Sequence, residues 1–313
     1  SRSPASIWSR TARLISTSSC LHTINTDLRW MHRPKVVSML ITPERVGATV
    51  SDVDVRQLND DATTQLANAW AEHGVLFFRD QELTPDDHIT FAERFASIDV
   101  NKFFKPVETH PKIATVLKEA DQQGNIGGAW HTDHTYDQIP ARGSILLARE
   151  VPPVGGDTRF ADVAAAYDAL SPGLQKTLES LEAVHSNEHV FGKSAQYNRE
   201  MGDRLGNPEG VGNAVHPVVI QHPQTGRKLL YVNLAFTRHF VGWTMEESAP
   251  LLQYLYEHVG QDQFTTQFLW DVGSIAMWDN RSTWHWALND YPGHRRLMHR
   301  ITVAGEALSP ATS

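Results

Sequence analysis

Trp130-His131-Thr132-Asp133 is the stretch on which the reading of this chain turns, and its partners lie far downstream at Thr283-Trp284-His285-Trp286 and His294-Arg295-Arg296-Leu297-Met298-His299-Arg300. In extended chain, side chains two residues apart share a face, so His131 and Asp133 would present an imidazole and a carboxylate to one point. A second imidazole from His285 completes the set of two His and one carboxylate that holds non-haem Fe(II) and leaves other positions open. Alone, in a chain with 16 His, the H-x-D tripeptide reads as a solvated turn. The distal His, set shortly before a pair of arginines, reverses that reading. No other His/Asp grouping in the sequence has this combination.

The arginines follow their own pattern. In a strand, Arg296, Met298 and Arg300 alternate with Leu297, His299 and Ile301, so both arginines point to one face. Four residues separate them by about 13 Å. Arginine offers a bidentate fork of donors and keeps its charge, which suits it to carboxylates and other oxyanions. Arg295 falls on the opposite face and reads as a surface or structural residue. The alternative for two inward cations is a buried salt-bridge network, since burying them unpaired is costly and acids would be needed nearby, Asp279 being one candidate.

Between the two ends sits Gly155-Gly156-Asp157-Thr158, and Trp278-Asp279-Asn280-Arg281 precedes His285. With Trp130 to Asp133 and His294 to Arg300, these motifs resemble the Fe(II)- and 2-oxoglutarate-dependent dioxygenases of the taurine dioxygenase family, from about Ile41 to Gly305 and with that family's spacings. The resemblance implies a mainly β fold, a double-stranded β-helix (jelly-roll, cupin-like) core with surrounding helices. It implies that His131, Asp133 and His285 bind Fe(II), with 2-oxoglutarate and O2 as co-substrates. Arg296, helped by Thr158, matches the residue that binds the C5 carboxylate of 2-oxoglutarate, and Arg300 matches the one that binds an acidic group of the substrate. The implied reaction turns 2-oxoglutarate into succinate and CO2 and hydroxylates a substrate C–H. Where that carbon carries a heteroatom, the product collapses and releases sulfite, sulfate or a phenol.

Taurine-specific members of the family have a His and a Tyr near the sulfonate, and an ungapped count from Phe95 places these positions at Asn101 and Phe104. Losing that pair and gaining an aromatic face predicts a more apolar substrate than taurine. Val184-His185-Ser186, Val190-Phe191-Gly192 and the stretch from His216 to Lys228 resemble the phenoxy-herbicide branch, whose substrates are aryloxyalkanoates. The expected substrate is thus a small organic anion: an aryloxyalkanoate, an alkyl sulfate ester or a longer sulfonate. The competing readings are taurine dioxygenase proper, a jelly roll that binds a ligand without catalysis, a zinc hydrolase on the same triad, and a carnitine-pathway hydroxylase. The zinc enzyme would leave the arginine pair without a role. The carnitine enzymes carry a Cys-rich zinc module, which a chain with Cys20 alone does not provide.

Composition bounds the rest. A chain of 313 residues, 41% hydrophobic, can bury one large core, and residues 39–313 are expected to form one catalytic domain. Residues 1–38 hold six Lys+Arg and one acid, Asp27. Removing these from the totals of 28 and 36 leaves 22 basic and 35 acidic residues, a formal charge of −13 for the remainder. The basic leader reads either as translated sequence upstream of a bacterial start at Met31 or Met39 or as a mitochondrial presequence, and as poorly ordered in both cases. The expected location is therefore cytoplasmic, or mitochondrial if the leader is a presequence. The acidic body offers no basic face to phosphates, so no nucleic-acid partner is expected. No apolar run reaches the length of a membrane span. A homo-oligomer, dimer or tetramer, is expected.

Helices are predicted over Asp61 to His73, ended by Gly74, from Thr84-Pro85 to about Ala96, after Ser171-Pro172, and after the capping box at Thr244 to Glu247. Strands are predicted at Val75 to Phe78, Ser144 to Ala148, Thr158 to Phe160 returning beside it, and His216 to Ile220 with Lys228 to Val232. The closing strands are predicted at Phe264 to Trp270, Ser274 to Trp278 and Leu297 to Val303. Phe191 to Gly212 has no clear period and reads as a surface loop or a flap over the site.

Overall fold

Val75-Leu76-Phe77-Phe78 is apolar at every position because both faces of its strand are covered. Val75 and Phe77 face a core shared with Phe160, Phe268, Trp278 and Met298. Leu76 and Phe78 face a second core with Leu66, Trp70, Phe91, Ile145 and Leu147. The computed structural model describes residues 39–311 except 193, 197, 198, 200, 201 and 203–210. The basic leader and much of the segment 191–212 lie outside the described residues.

The strand Val75–Phe78 belongs to a nine-stranded sheet in the order Leu40–Pro43, Ala48–Ser51, Val75–Phe78, Ile275–Asp279, Gly143–Glu150, Arg296–Val303, His110–Lys118 and Pro106–Val107, with Ile98–Asp99 also paired to Arg296–Val303. Its pairs are antiparallel except Ala48–Ser51 with Val75–Phe78. A second sheet, Thr265–Phe268, Thr158–Asp162 and Thr283–Ala287, packs against it through Phe77 stacked on Phe268, ring centroids 4.4 Å apart. The two sheets form the double-stranded β-helix.

The outer face of the large sheet is covered by two helices. Asp60–His73 starts at Asn59, whose side chain accepts from the Ala62 N–H, and ends at Gly74 with φ +73°. Pro85–Glu93 carries a reciprocal capping box between Thr84 and Asp87 and stops before Ala96, because Arg94 already closes it. On the far side, the helix Met245–Val259 buries Leu252, Leu255 and Val259 against Trp284. Residues of Thr283–Ala287 therefore separate by period two: Trp284 packs toward the helix, and His285 turns inward beside Trp278, ring centroids 4.6 Å apart.

Two local readings change. Thr158–Asp162 does not return beside Gly143–Glu150; it pairs with Thr265–Phe268 and Thr283–Ala287 in the facing sheet. Gly155 and Gly156, at φ +78° and +75°, make the crossing. The expected strand His216 to Ile220 divides at Val218: Asn213–Pro217 pairs with Glu182–Ser186, while Val219–Gln221 pairs with Lys228–Leu230. Among the described residues no helix is long and apolar enough to cross a membrane.

Candidate active site

His131 enters the site from a backbone bridge. Its N–H donates to the His285 carbonyl (3.1 Å) and the His285 N–H returns to the His131 carbonyl (2.8 Å), which fixes the two rings 4.0 Å apart, centroid to centroid. The chain does not continue as a strand. It turns at Asp133, and His134 adopts φ +62°. Asp133 still reaches the same point: its Oδ1 lies 3.7 Å from His131 Nε2 and its Oδ2 3.5 Å from His285 Nε2. The shared-face argument is thus met by a bridge and a turn.

The donors fit a divalent ion. Among the described residues, His131, Asp133 and His285 are the one group of His, Cys, Asp or Glu with ligand atoms placed to share a metal, all within 4.8 Å of one another. His131 Nδ1 hydrogen-bonds the Ala129 carbonyl (2.7 Å), so it carries the proton and leaves Nε2 with its lone pair. Burial drives the His285 imidazole well below its ordinary range, with His131 adding to the effect, and so keeps it neutral. Burial alone would raise the Asp133 carboxyl, but the Arg300 guanidinium and then the neighbouring histidines hold it well below the usual carboxylate range.

Both arginines of the last strand point inward, and Arg295 points out to Glu119 (2.9 Å) and Glu150. Arg296 Nε donates to the Gly156 carbonyl (2.9 Å), and its guanidinium lies over Trp270 at 5.8 Å. Its Nη2 is buried with no hydrogen-bond partner among the described residues. An orphaned cationic donor in a cavity wall calls for an anion. Thr158 stands beside it in the same cavity, its Oγ1 accepting from Trp270 Nε1 (3.0 Å), so its own O–H remains to donate. The crossing turn completes this end: Asp290 accepts from the Gly156 N–H (2.8 Å), and a Cβ on Gly155 would sit 2.6 Å from that carboxylate.

Arg300 is paired with Asp133, not with Asp279. Its Nη2 donates to Asp133 Oδ2 (2.6 Å) and to Ser144 Oγ (2.8 Å), and its Nε also reaches Ser144 (3.1 Å). Asp279 is committed elsewhere, to Arg281 at 2.6 Å. The candidate acid read from the sequence was therefore the wrong one, because the turn at Asp133 brings its carboxylate under the last strand.

His131, Asp133, His285, Thr158, Arg296 and Arg300 line one cavity of about 480 Å³. Asn101 and Phe104 both line it, but Asn101 Oδ1 accepts the N–H groups of Phe103 and Phe104 (2.9 Å each), so its acceptor end shapes the loop. The sequence reading missed the rings around them. Phe103 stacks on Phe191 at 4.4 Å, and Tyr136 stands edge-on to Phe236 at 4.9 Å. They come from four separate segments with no shared spacing. Also missed was Gly127, at φ +78°, where a Cβ would lie 3.2 Å from His131 Cε1; the pair Gly127-Gly128 three residues before His131 was the available signal.

Residues 40–302 match the family described as taurine catabolism dioxygenase TauD, TfdA family. The chain is 36% identical to an alkylsulfatase of Acinetobacter baylyi, over 85% of this chain and 84% of that protein. It is 33% identical to an (S)-phenoxypropionate/alpha-ketoglutarate-dioxygenase of Sphingobium herbicidovorans, over 84% of this chain and 93% of that one. Among solved structures, a putative alpha-ketoglutarate-dependent taurine dioxygenase from Burkholderia xenovorans superposes with a TM-score of 0.75 at 32% identity, covering 88% of this chain and 96% of that one.

Proposed function

The chain belongs to the TauD/TfdA family of dioxygenases, and from that premise we propose that it hydroxylates a small organic anion with an apolar body, using Fe(II), 2-oxoglutarate and O2. One observation carries the reading: a metal-fitting triad and two buried arginines, each on a different partner set, line the same cavity. This reading takes residues 39–313 as one catalytic domain.

In this assignment His131, Asp133 and His285 hold Fe(II). Arg296 takes the C5 carboxylate of 2-oxoglutarate on its free Nη2, with the Thr158 hydroxyl as a second donor. Arg300 holds the anionic group of the substrate. Ser144 and Asp133 already occupy its Nε and Nη2, which leaves Nη1 for that contact. Fe(II) held by the three ligands would supply the coupling of O2 reduction to decarboxylation of 2-oxoglutarate, in which 2-oxoglutarate, O2 and R–H give succinate, CO2 and R–OH. The apolar walls exclude water from the reacting carbon, and Arg300 fixes which carbon that is.

The mouth sets the substrate class. Phe103, Phe104, Tyr136 and Phe236 reward burial of an apolar body, at roughly 25 cal/mol per Å² removed from water. An aryloxyalkanoate, an alkyl sulfate ester or a longer sulfonate gains from that; taurine, two carbons ending in an ammonium, gains little. The alkylsulfatase and the phenoxypropionate enzyme among the relatives fit the same preference.

The test is anaerobic calorimetry of Fe(II) and then of 2-oxoglutarate, followed by succinate release on a panel of sulfonates, sulfate esters, aryloxyalkanoates and phosphonates. Succinate formation above the uncoupled background should be greatest with an apolar anion. Faster turnover of taurine, or no Fe(II)-dependent binding of 2-oxoglutarate, would overturn the proposal.

A further inference from the structure

Trp278-Asp279-Asn280-Arg281 contributes no group assigned above to metal, co-substrate or substrate, apart from the ring of Trp278 in the cavity wall. Yet it is among the most deeply buried polar stretches of the chain: Asp279 is 0% exposed, Asn280 1% and Arg281 4%. A buried ion pair contributes little net stability against an apolar pair of the same shape, so its presence asks for another account.

The hydrogen bonds supply one. Asp279 Oδ1 accepts from the backbone N–H of Arg281 (2.8 Å) and from its Nε (2.9 Å), and Oδ2 accepts from its Nη2 (2.6 Å). The guanidinium thus closes the turn between Ile275–Asp279 and Thr283–Ala287 back onto the first strand. His222 Nε2 lies 3.4 Å from Asp279 Oδ2, and Glu306 receives Arg281 Nη1 at 3.1 Å, so the clamp is held from two further segments. The Asp279 carbonyl accepts the Ser282 N–H (3.2 Å) and the Thr283 hydroxyl (2.7 Å), which sets the start of the strand that carries His285.

The residue at the tip of this turn is Asn280. Its N–H donates to the Arg142 carbonyl (2.8 Å) and its Nδ2 to the Ala141 carbonyl (3.1 Å), so its peptide is fixed from two sides. Its carbonyl accepts the hydroxyl of Thr132 at 2.5 Å. Thr132 is 2% exposed and is the single residue between His131 and Asp133. His131 is already tied to His285 through the backbone bridge, but Asp133 sits where the chain turns away, with no ladder to hold it. Its carboxylate is held by Arg300, and on the chain beside it the Thr132 hydroxyl is the nearest side-chain tie to another segment.

We infer that the Asp279–Arg281 clamp positions the metal ligands: through the Thr283 end of its turn it places His285, and through the Asn280 carbonyl and the Thr132 hydroxyl it places Asp133. None of these residues touches the metal position or the reacting atoms. They are positioning residues, and the inference rests on the assignment of His131, Asp133 and His285 as metal ligands. Partners in this outer layer ordinarily matter about tenfold to a hundredfold in metal affinity.

The test reads metal binding without turnover. Mn(II) alone is titrated into the full chain, and the free ion is followed by its EPR signal. Thr132→Val keeps the shape of the side chain and removes the hydroxyl; Thr132→Ser restores the hydroxyl; Val50→Ala removes apolar packing in the strand Ala48–Ser51, which Val75–Phe78 separates from Ile275–Asp279, and lowers melting temperature from a core that holds none of the ligands. Thr132→Val should weaken Mn(II) binding by about tenfold, Thr132→Ser should bring it back, and Val50→Ala should leave it unchanged. Asp279→Asn should also weaken Mn(II) binding if it folds; if it does not fold, the Thr132 variants decide. A loss below about threefold in Thr132→Val, a loss that Ser does not restore, or an equal loss in Val50→Ala overturns the inference, since outer-layer partners ordinarily contribute about tenfold or more. A wild-type chain that takes up no Mn(II) overturns the metal assignment and this inference with it, and that outcome is distinct from the others.

Discussion

At the inner end of the cavity the polar groups stand on a strand or are bridged to one, His285 in Thr283–Ala287, His131 bonded to it through the backbone, Arg296 and Arg300 in the last strand and Thr158 at the start of the crossing strand, while Asp133 stands on a turn and is tied to the last strand by Arg300. At the mouth, Phe103, Tyr136, Phe191 and Phe236 come from loops or from a single helical turn and hold one another by ring contacts. The inner end fixes directions and charges; the mouth fixes shape and polarity. Strands position groups more tightly than loops, so the reaction belongs to the first region and the choice of substrate to the second. If that division is right, changes at the inner end should abolish function for every substrate, and changes at the mouth should reorder substrates.

The largest effect is expected at Asp133. Asp133→Ala removes one of three ligands and should cut turnover by at least about a hundredfold, because a catalytic metal provides several kcal/mol of transition-state stabilisation and each 1.4 kcal/mol is tenfold. Circular dichroism should show the fold retained. Activity above a few per cent of wild type in metal-supplemented assays, at about that level by the same reckoning, would remove Asp133 from the ligand set.

Arg296→Ala comes next. Truncating one partner of a buried charge pair costs about 2–5 kcal/mol, much of it from the charge left behind. The apparent constant for 2-oxoglutarate should rise well over about tenfold, by the same factor for every prime substrate. An unchanged constant would show that the orphaned Nη2 has another purpose. A rise that differs between substrates would erase the boundary between the two regions.

Arg300 lies on that boundary. Arg300→Ala should weaken an anionic substrate by about tenfold to a hundredfold, the worth of one charge-assisted hydrogen bond, while the constant for 2-oxoglutarate moves much less. Since Arg300 also donates to Asp133, metal affinity is measured beside the kinetics, and rates are compared at saturating Fe(II). Full activity on a neutral substrate with Arg300 dispensable would move the anion site elsewhere.

The same division explains what could be read without a structure. The alternation of Arg296 and Arg300 was legible because strand geometry turns sequence separation into direction, whereas His131 and Asp133 meet through a bridge and a turn and not through the extended chain expected of them. The helices after Thr84 and Thr244 were legible because their caps are local chemistry, and the one before them because Gly74 ends it; its N-cap, Asn59, was not read. Non-local choices were not. Thr158–Asp162 was read beside its neighbour in sequence, whereas a jelly roll sends it to the opposite sheet, and nothing within Val151 to Gly156 encodes which partner it meets. Asp133 as the partner of Arg300 depended on a left-handed turn at His134, a conformation with no glycine to announce it. The aromatic mouth was illegible for the same reason: four rings converge only after four segments have been placed.

The smallest expected effect tests the mouth directly. Phe103→Leu keeps an apolar side chain in the loop held by Asn101 and removes the ring that stacks on Phe191 at 4.4 Å. Stacked or edge-on ring pairs contribute about 0.5–1.5 kcal/mol beyond the area they bury, which corresponds to about threefold to tenfold in binding. An aryloxyalkanoate, whose ring would join this cluster, should lose about that factor in kcat/KM, while an alkyl sulfate ester of similar apolar area should change less than about twofold, since leucine replaces the apolar surface but not the π-face. The constant for 2-oxoglutarate should stay where it was, because the ring contacts of Phe103 are with Tyr136 and Phe191 and not with the residues assigned to that co-substrate. Equal losses on the aryl and alkyl substrates would mean that Phe103 contributes bulk alone, and a changed 2-oxoglutarate constant would mean that mouth and inner end are not separable.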